Sequence, residues 1–317
     1  MRPTIPLLLA TLALLGPTTQ LVSAQEAARL TAWGAPDLQG VWDFRTITPL
    51  ERPAELAGKE VLTVEEAAAF QQRTLDAQDK DQRADVVGVS QDVESAYNQF
   101  WWDYGDSLTE DRRTSLVVDP RDGRVPRKPR DRTGLGAAAA SFGRIPAGPE
   151  DRSLWERCIL GFNSGPPLLP SAYNNNVQIL QTPDTVVIFN EMVHNARVVP
   201  LDGRAHLPDD VRLWTGDARG RWEGSTLVVE TKNFVRETGF LGAGAAMRLV
   251  ERFEQVDANT LRYEFTIDDP EHFTQPWTAA IPMKRTDGPM FEYACHEGNY
   301  GMTNLLLGAR ADDAAAR

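Results

Sequence analysis

Cysteine, histidine and basic charge are all scarce in this chain. Its 317 residues include two Cys and four His, with 33 Lys and Arg against 45 Asp and Glu, for a formal net charge of −12. An acidic chain without a Lys/Arg-rich patch repels phosphate backbones, which argues against nucleic acid as a partner. Long apolar runs are missing beyond residue 24, and a bilayer-spanning helix needs roughly 20 such residues, so no membrane span is expected. There is no serine-nucleophile elbow, P-loop or dinucleotide fingerprint. The glycine-rich stretch 239–244 lacks the strand-to-helix setting that such loops need. H-x-H and H-E-x-x-H are absent too, and no repeat of fixed period is visible. Cofactor-independent chemistry or plain binding is therefore expected, and oligomeric state is not legible.

The first 24 residues have the grammar of a secretory signal. Arg2 supplies the positive start, residues 5–15 the short apolar stretch, and Val22-Ser23-Ala24 a small-residue cleavage site. A periplasmic or secreted protein is expected, with residues 25–317 forming one β domain. In an oxidising compartment Cys158 and Cys295 most simply form one disulfide. The alternative is Cys295 acting as a nucleophile beside His296.

Patterning is β-rich. Thr63-Val64-Glu65-Glu66 opens a helix with an N-cap and an acidic first turn. Residues 84–113 read as irregular, 127–152 as a mobile excursion rich in Arg, Gly, Ala and Pro, and 154–159 as a short helix carrying Cys158. From residue 177 onward alternating segments recur at 177–181, 186–199, 211–215, 219–222, 226–234, 247–256, 260–268, 277–285 and 290–295. Short turns such as Asp257-Ala258-Asn259 separate them. About eight strands joined this way predict an antiparallel barrel or sandwich. The tail from Thr303 begins helical.

Gly40-Val41-Trp42 in a first strand, followed by hairpins, resembles the opening of lipocalin and other calycin-type barrels. The chain is also similar to a family of exported bacterial proteins sharing four motifs. They are Pro-Asp-Leu-x-Gly-x-Trp (36–42), Thr-Pro-Leu-Glu-Arg-Pro (48–53), Gly-Asp-x-Arg-Gly-Arg-Trp-Glu-Gly (216–224) and Tyr-Ala-Cys-His-Glu-Gly-Asn-Tyr (293–300). The first resemblance implies a mainly β, antiparallel calycin-like barrel with helical and irregular decorations. The second carries no assigned activity, so the site is argued from chemistry.

The run 291–301 packs a cysteine, a histidine, carboxylates and tyrosines into one short stretch. His296 and Glu297 at the end of a last strand, and His194 with Glu191 on strand 186–199, are the candidate catalytic residues. Imidazoles take and give protons near neutral pH, and a carboxylate orients or assists them. The plain alternative for each histidine is a hydrogen-bonded structural role. The same four residues, as a His₂-carboxylate set, are the candidate ligands if a zinc or iron ion is bound. Trp42, Trp101, Trp102, Tyr173 and Tyr300 are candidate substrate contacts, by stacking on a planar or sugar ligand. Arg219, with Arg221 and Arg252, is a candidate for gripping anionic groups; cross-strand pairing is the alternative. His206 and His272 read as surface residues. The expectation is an enzyme with acid/base chemistry on a small, partly hydrophobic or aromatic molecule: a lyase, isomerase or hydrolase. The alternatives are a lipocalin-like small-molecule binder and a metal-dependent enzyme.

Overall fold

The structure is a computed structural model and describes residues 29–81, 98–129, 145–238 and 240–315. The signal expected at 1–24 and the middle of the 127–152 excursion lie outside these residues.

Alternation sets the strands. β1 (Gly40–Asp43), β2 (Val117–Asp119), β3 (Asn176–Gln181), β4 (Thr185–Asn190) and β5 (Ala196–Pro200) come first. They are followed by β6 (Asp217–Glu223), β7 (Thr226–Lys232), β8 (Arg248–Gln255), β9 (Thr260–Asp268) and β10 (Trp277–Thr286). In β8 and β9 every second residue is buried, as a sheet with one wet face requires. Among the described residues the named strands all pair antiparallel, in the order β5-β4-β3-β1-β10-β9-β8-β7-β6, with β2 pairing to β10. The two edges, β5 and β6, approach through side chains. A Cβ at Gly220 of β6 would lie 2.8 Å from Val199 Cγ1 of β5, too close for a real side chain. Among the described residues no hydrogen-bonded ladder joins these edges.

The Gly40-x-Trp42 spacing has a physical cause. Gly40 has φ +132°, and a Cβ there would fall 2.2 Å from Arg285 Nη1. Arg285 crosses that gap, donates to Gln39 O and lays its guanidinium 4.4 Å from the Trp42 ring centre. Glycine lets β10 clamp β1 with a cation–π contact.

Inside the sheet the core is continuous: Trp42, Ile179, Leu249, Phe253, Phe265 and Trp277 are fully buried. Outside it lies α1 (Val64–Gln78), capped as expected. Thr63 Oγ1 accepts from Glu66 N, and the Glu66 carboxylate accepts from Thr63 N. The C-terminal helix α2 spans Tyr300–Ala315.

Four expectations need correction. Residues 186–199 are not one strand. They are β4, a turn with a 3₁₀ segment Met192–His194, and β5, because Val193 and His194 adopt φ 56° and 40°. Residues 290–295 form no strand, since the chain leaves the sheet after Thr286. Residues 211–215 contribute one isolated bridge, Leu213 to Phe234. Residues 154–159 form turns rather than a helix.

Candidate functional site

The inward face of the sheet carries a buried polar cluster. Arg197 of β5 donates from Nη1 to Glu251 Oε2 (2.6 Å) and from Nη2 to Glu251 Oε1 (3.0 Å). Tyr263 of β9 donates its hydroxyl to Glu251 Oε1 at 2.8 Å and accepts from Leu168 N at 3.0 Å. The Arg197 and Glu251 side chains are 2% and 0% exposed. Burial pushes the Tyr263 hydroxyl well above its ordinary pKa, and the neighbouring Glu251 carboxylate adds to this. Burial works against the Arg197 charge, but Glu251 outweighs it and the net direction is upward.

Three adjoining compartments lined by described residues lie outside the sheet, in a trough beneath α1. One compartment, about 680 Å³, has the outward faces of β1 and β10 as floor (Asp43, Pro282, Lys284), the 102–111 segment as wall, and Leu75 and Gln78 of α1 as roof. A second compartment of about 310 Å³ shares Thr46, Gln78 and Tyr104 with the first. Its lining is more apolar: Ile47, Leu50, Phe70, Leu116 and Leu169. A third, about 490 Å³, shares Glu110, Thr260 and Lys284. The trough exists because α1 is loosely seated. Among its fifteen residues Ala67 alone is buried, leaving the Phe70, Thr74, Leu75 and Gln78 face half-covered.

Most charges in the large compartment are matched. Arg45 pairs with Asp43 and Asp103, Arg113 with Asp111 at 3.2 Å, and Lys284 with Glu110 at 3.2 Å. The Asp43 hydrogen bond leads in raising the Arg45 pKa, against the opposing effect of burial. Asp106 has no ion-pair partner among the described residues. Trp102 and Tyr104 stack with ring centres 5.5 Å apart, and the Lys80 ammonium lies 5.2 Å from the Trp102 ring centre. The Trp102 indole N–H is buried and has no acceptor among the described residues. Burial raises the Tyr104 hydroxyl pKa.

An aromatic row leads from the trough to a C-terminal strap, residues 287–299, between β10 and α2. Tyr173 lies 6.3 Å from Trp102 and 6.2 Å from Tyr293, measured between ring centres. The strap is pinned by the Cys158–Cys295 disulfide, with Cα atoms 5.7 Å apart, as the sequence led us to expect. It is also pinned by Glu191, which accepts from Phe291 N (2.8 Å) and Asn176 Nδ2 (2.9 Å). Glu191 is 3% exposed with both oxygens engaged, which makes it a clamp between strap and sheet. His194 is exposed on the β4–β5 turn, not on a strand face. His296 and Glu297 are exposed on the strap, near the disulfide.

The remaining candidates scatter. Trp42 is fully buried and gives its indole N–H to Leu38 O, so it belongs to the core. Trp101 and Tyr300 are 61% and 75% exposed. Trp102 and Tyr173 are half-buried in the aromatic row. Arg219 binds Asp217 at 2.6 Å and the Ala205 carbonyl, while Arg221 and Arg252 both pair with Glu223. The ligand-type atoms of Asp269, Glu271 and His272 fall within 4.8 Å of one another, whereas His194 and His296 belong to no such group among the described residues. Asp269 there accepts from Gly244 N, Glu271 N and His272 Nδ1, the pattern of a capped turn.

Sequence reasoning missed the Arg197–Glu251–Tyr263 cluster and the trough. The trough had one available signal: Phe70, Thr74, Leu75 and Gln78 follow helical spacing on a helix with little else to bury.

No protein-family model matches this chain, and no curated protein does. A solved structure of a variant of the fluorescent protein UnaG is similar at 15% identity and a TM-score of 0.24, over 43% of this chain and 86% of that one.

Proposed function

We propose that this chain is an exported small-molecule-binding protein whose ligand lies in the trough between α1 and the outer face of the sheet. The observation carrying this reading is a compartment of about 680 Å³ on the outer side of a sheet whose inward face carries a continuous apolar core. That size falls in the usual range for ligand sites, about 300–1,000 Å³. Export rests on the signal-like residues 1–24 and on the disulfide. The fold is read as a calycin-type barrel whose β5–β6 seam is closed by side chains rather than by a ladder.

A fragment survey by methyl NMR tests the location. Shifts confined to Ile47, Leu75, Leu116 and Leu169 support the trough. Shifts at the interior Ile179, Leu249 and Leu261 overturn it.

A second reading is an acid/base enzyme with His194 and His296 as proton-transfer groups and Glu297 assisting. It is favoured by the consecutive left-handed residues Val193 and His194. Such strain costs on the order of 1–3 kcal/mol per residue and tends to cluster at functional sites. Its test is turnover of the molecules that bind. His194→Ala and His296→Ala abolish turnover and leave affinity intact if it holds, and unchanged rates in both remove it. Sensitivity to a chelator separates the metal-dependent form.

A further inference from the structure

We infer that the trough takes an amphiphile with a short apolar tail and an uncharged, polyhydroxylated head; this rests on the reading that the trough is the ligand site. The two compartments meeting at Tyr104 differ in chemistry. The smaller is walled by Phe70, Leu116 and Leu169, and the larger by charged and hydrogen-bonding groups. A ligand of uniform polarity would leave one of them wrongly solvated.

Charge decides the head. Asp43, Asp103, Asp106, Glu110 and Asp111 line the large compartment against Arg45, Arg113 and Lys284. The carboxylates outnumber the cations, so a fatty-acid or phosphate head meets net repulsion. A cationic head fares little better. Four of the five carboxylates already hold a cation, and the Trp102 ring already has the Lys80 ammonium over it. What remains is a mixed and mostly neutral set. Asp106 lacks a cation among the described residues, and Gln78, Tyr104 and Ser107 are neutral hydrogen-bonding residues in the same lining. Hydroxyl groups both donate and accept, so a polyol satisfies donors and acceptors together without displacing any ion pair.

The tail has an independent argument. α1 leaves Phe70 and Leu75 half-buried over the trough, with Ala67 its one buried residue. An alkyl chain beneath Phe70 completes that burial, and each CH₂ it removes from water tightens binding.

Calorimetry on the intact chain tests the inference with four probes, each below its micelle concentration: octyl β-glucoside, octanoate, octyltrimethylammonium and glucose. Octyl β-glucoside is expected to bind at least about tenfold more tightly than the other three, a readily measured difference. Phe70→Ser and Tyr104→Ala each weaken it by about tenfold or more, while Phe291→Ser on the exposed strap leaves it unchanged; circular dichroism checks folding. If octanoate or the ammonium probe binds best and Phe70→Ser still abolishes it, the head assignment fails and the trough reading survives. If binding ignores both Phe70→Ser and Tyr104→Ala, the ligand sits elsewhere and both fail. If no probe binds, the amphiphile inference is overturned, and the methyl-NMR survey judges the trough by itself.

Discussion

At the scale of single residues, the buried Arg197–Glu251 pair sets the largest stakes. Each charge is tolerated inside the sheet because the other, together with the Tyr263 hydroxyl, compensates it. Glu251→Gln leaves the Arg197 guanidinium uncompensated, and urea unfolding is expected to show a loss of about 3–5 kcal/mol. Tyr263→Phe strips the acceptor from Leu168 N and the donor from Glu251, for a loss of about 1–3 kcal/mol. Values near zero for both would mean that water reaches the pair. Asp217 supplies a pH signature. It accepts from Leu207 N, His206 Nδ1 and Arg219 Nη1. Burial opposes its charge, but these donors outweigh it and its pKa is lowered. A carboxylate whose folded pKa is lowered contributes stability that is fully present above its unfolded pKa, about 3.9, and is lost as pH falls through the folded value. Asp217→Asn should therefore be less stable than the parent at neutral pH, with the gap closing below about pH 4. A gap independent of pH would exclude the carboxylate charge as its cause. These residues also show where the sequence was legible. Glu251 sits between Leu249 and Phe253 on the inward face of β8, and Arg197 two before Val199 in β5, so each is a charge at an apolar position. The alternation exposes the anomaly in each strand, but only the tertiary pairing shows that one anomaly answers the other.

At the scale of elements, legibility followed local punctuation. The strand Thr260–Asp268 was readable to the residue because alternation meets a turn at Asp257-Ala258-Asn259. The Thr63 cap placed α1 by its hydroxyl and the Glu66 carboxylate. The β4–β5 turn was not readable. It contains neither Gly nor Pro, and it places a β-branched valine in the left-handed region, which sequence rules disfavour. Packing pays for that turn: Gly161 approaches so closely that a Cβ there would lie 2.1 Å from Met192 Cγ, and Asn190 N donates to Asn195 O. The strap was misread as a strand because Phe291 to Ala294 alternate, yet the Phe291 amide donates to Glu191 and the Tyr293 carbonyl accepts from Cys295 N, not from a sheet neighbour. The disulfide that fixes this strap closes a separation of 137 residues. Cys158→Ser with Cys295→Ser is expected to cost about 4–5 kcal/mol in the chain-entropy model. Hydrogen exchange at the Phe291 amide should rise with it. If exchange there stays slow while global stability falls, Glu191 alone holds the strap and the disulfide acts on the unfolded chain.

At the scale of the whole molecule, the decisive question is how a ten-stranded sheet treats its two free edges. An edge with unpaired amides and carbonyls is a template for another chain. Here β5 and β6 end up side by side without a ladder, and the gap is filled by Val199 and Leu201 packing on the bare backbone of Gly220. Glycine at this position brings the edges together at the expense of a side chain. Gly220→Leu places a Cβ 2.5 Å from Leu201 Cδ2 and 2.8 Å from Val199 Cγ1, so the seam must widen. Overpacking of this kind costs about 1–3 kcal/mol. The larger consequence is exposure of both edges. The variant is expected to show faster amide exchange along β5 and a concentration-dependent dimer in sedimentation velocity, with the trough beneath α1 preserved. A variant that stays monomeric with unchanged exchange would mean that the edges are held by the sheet's curvature and not by the Gly220 contact.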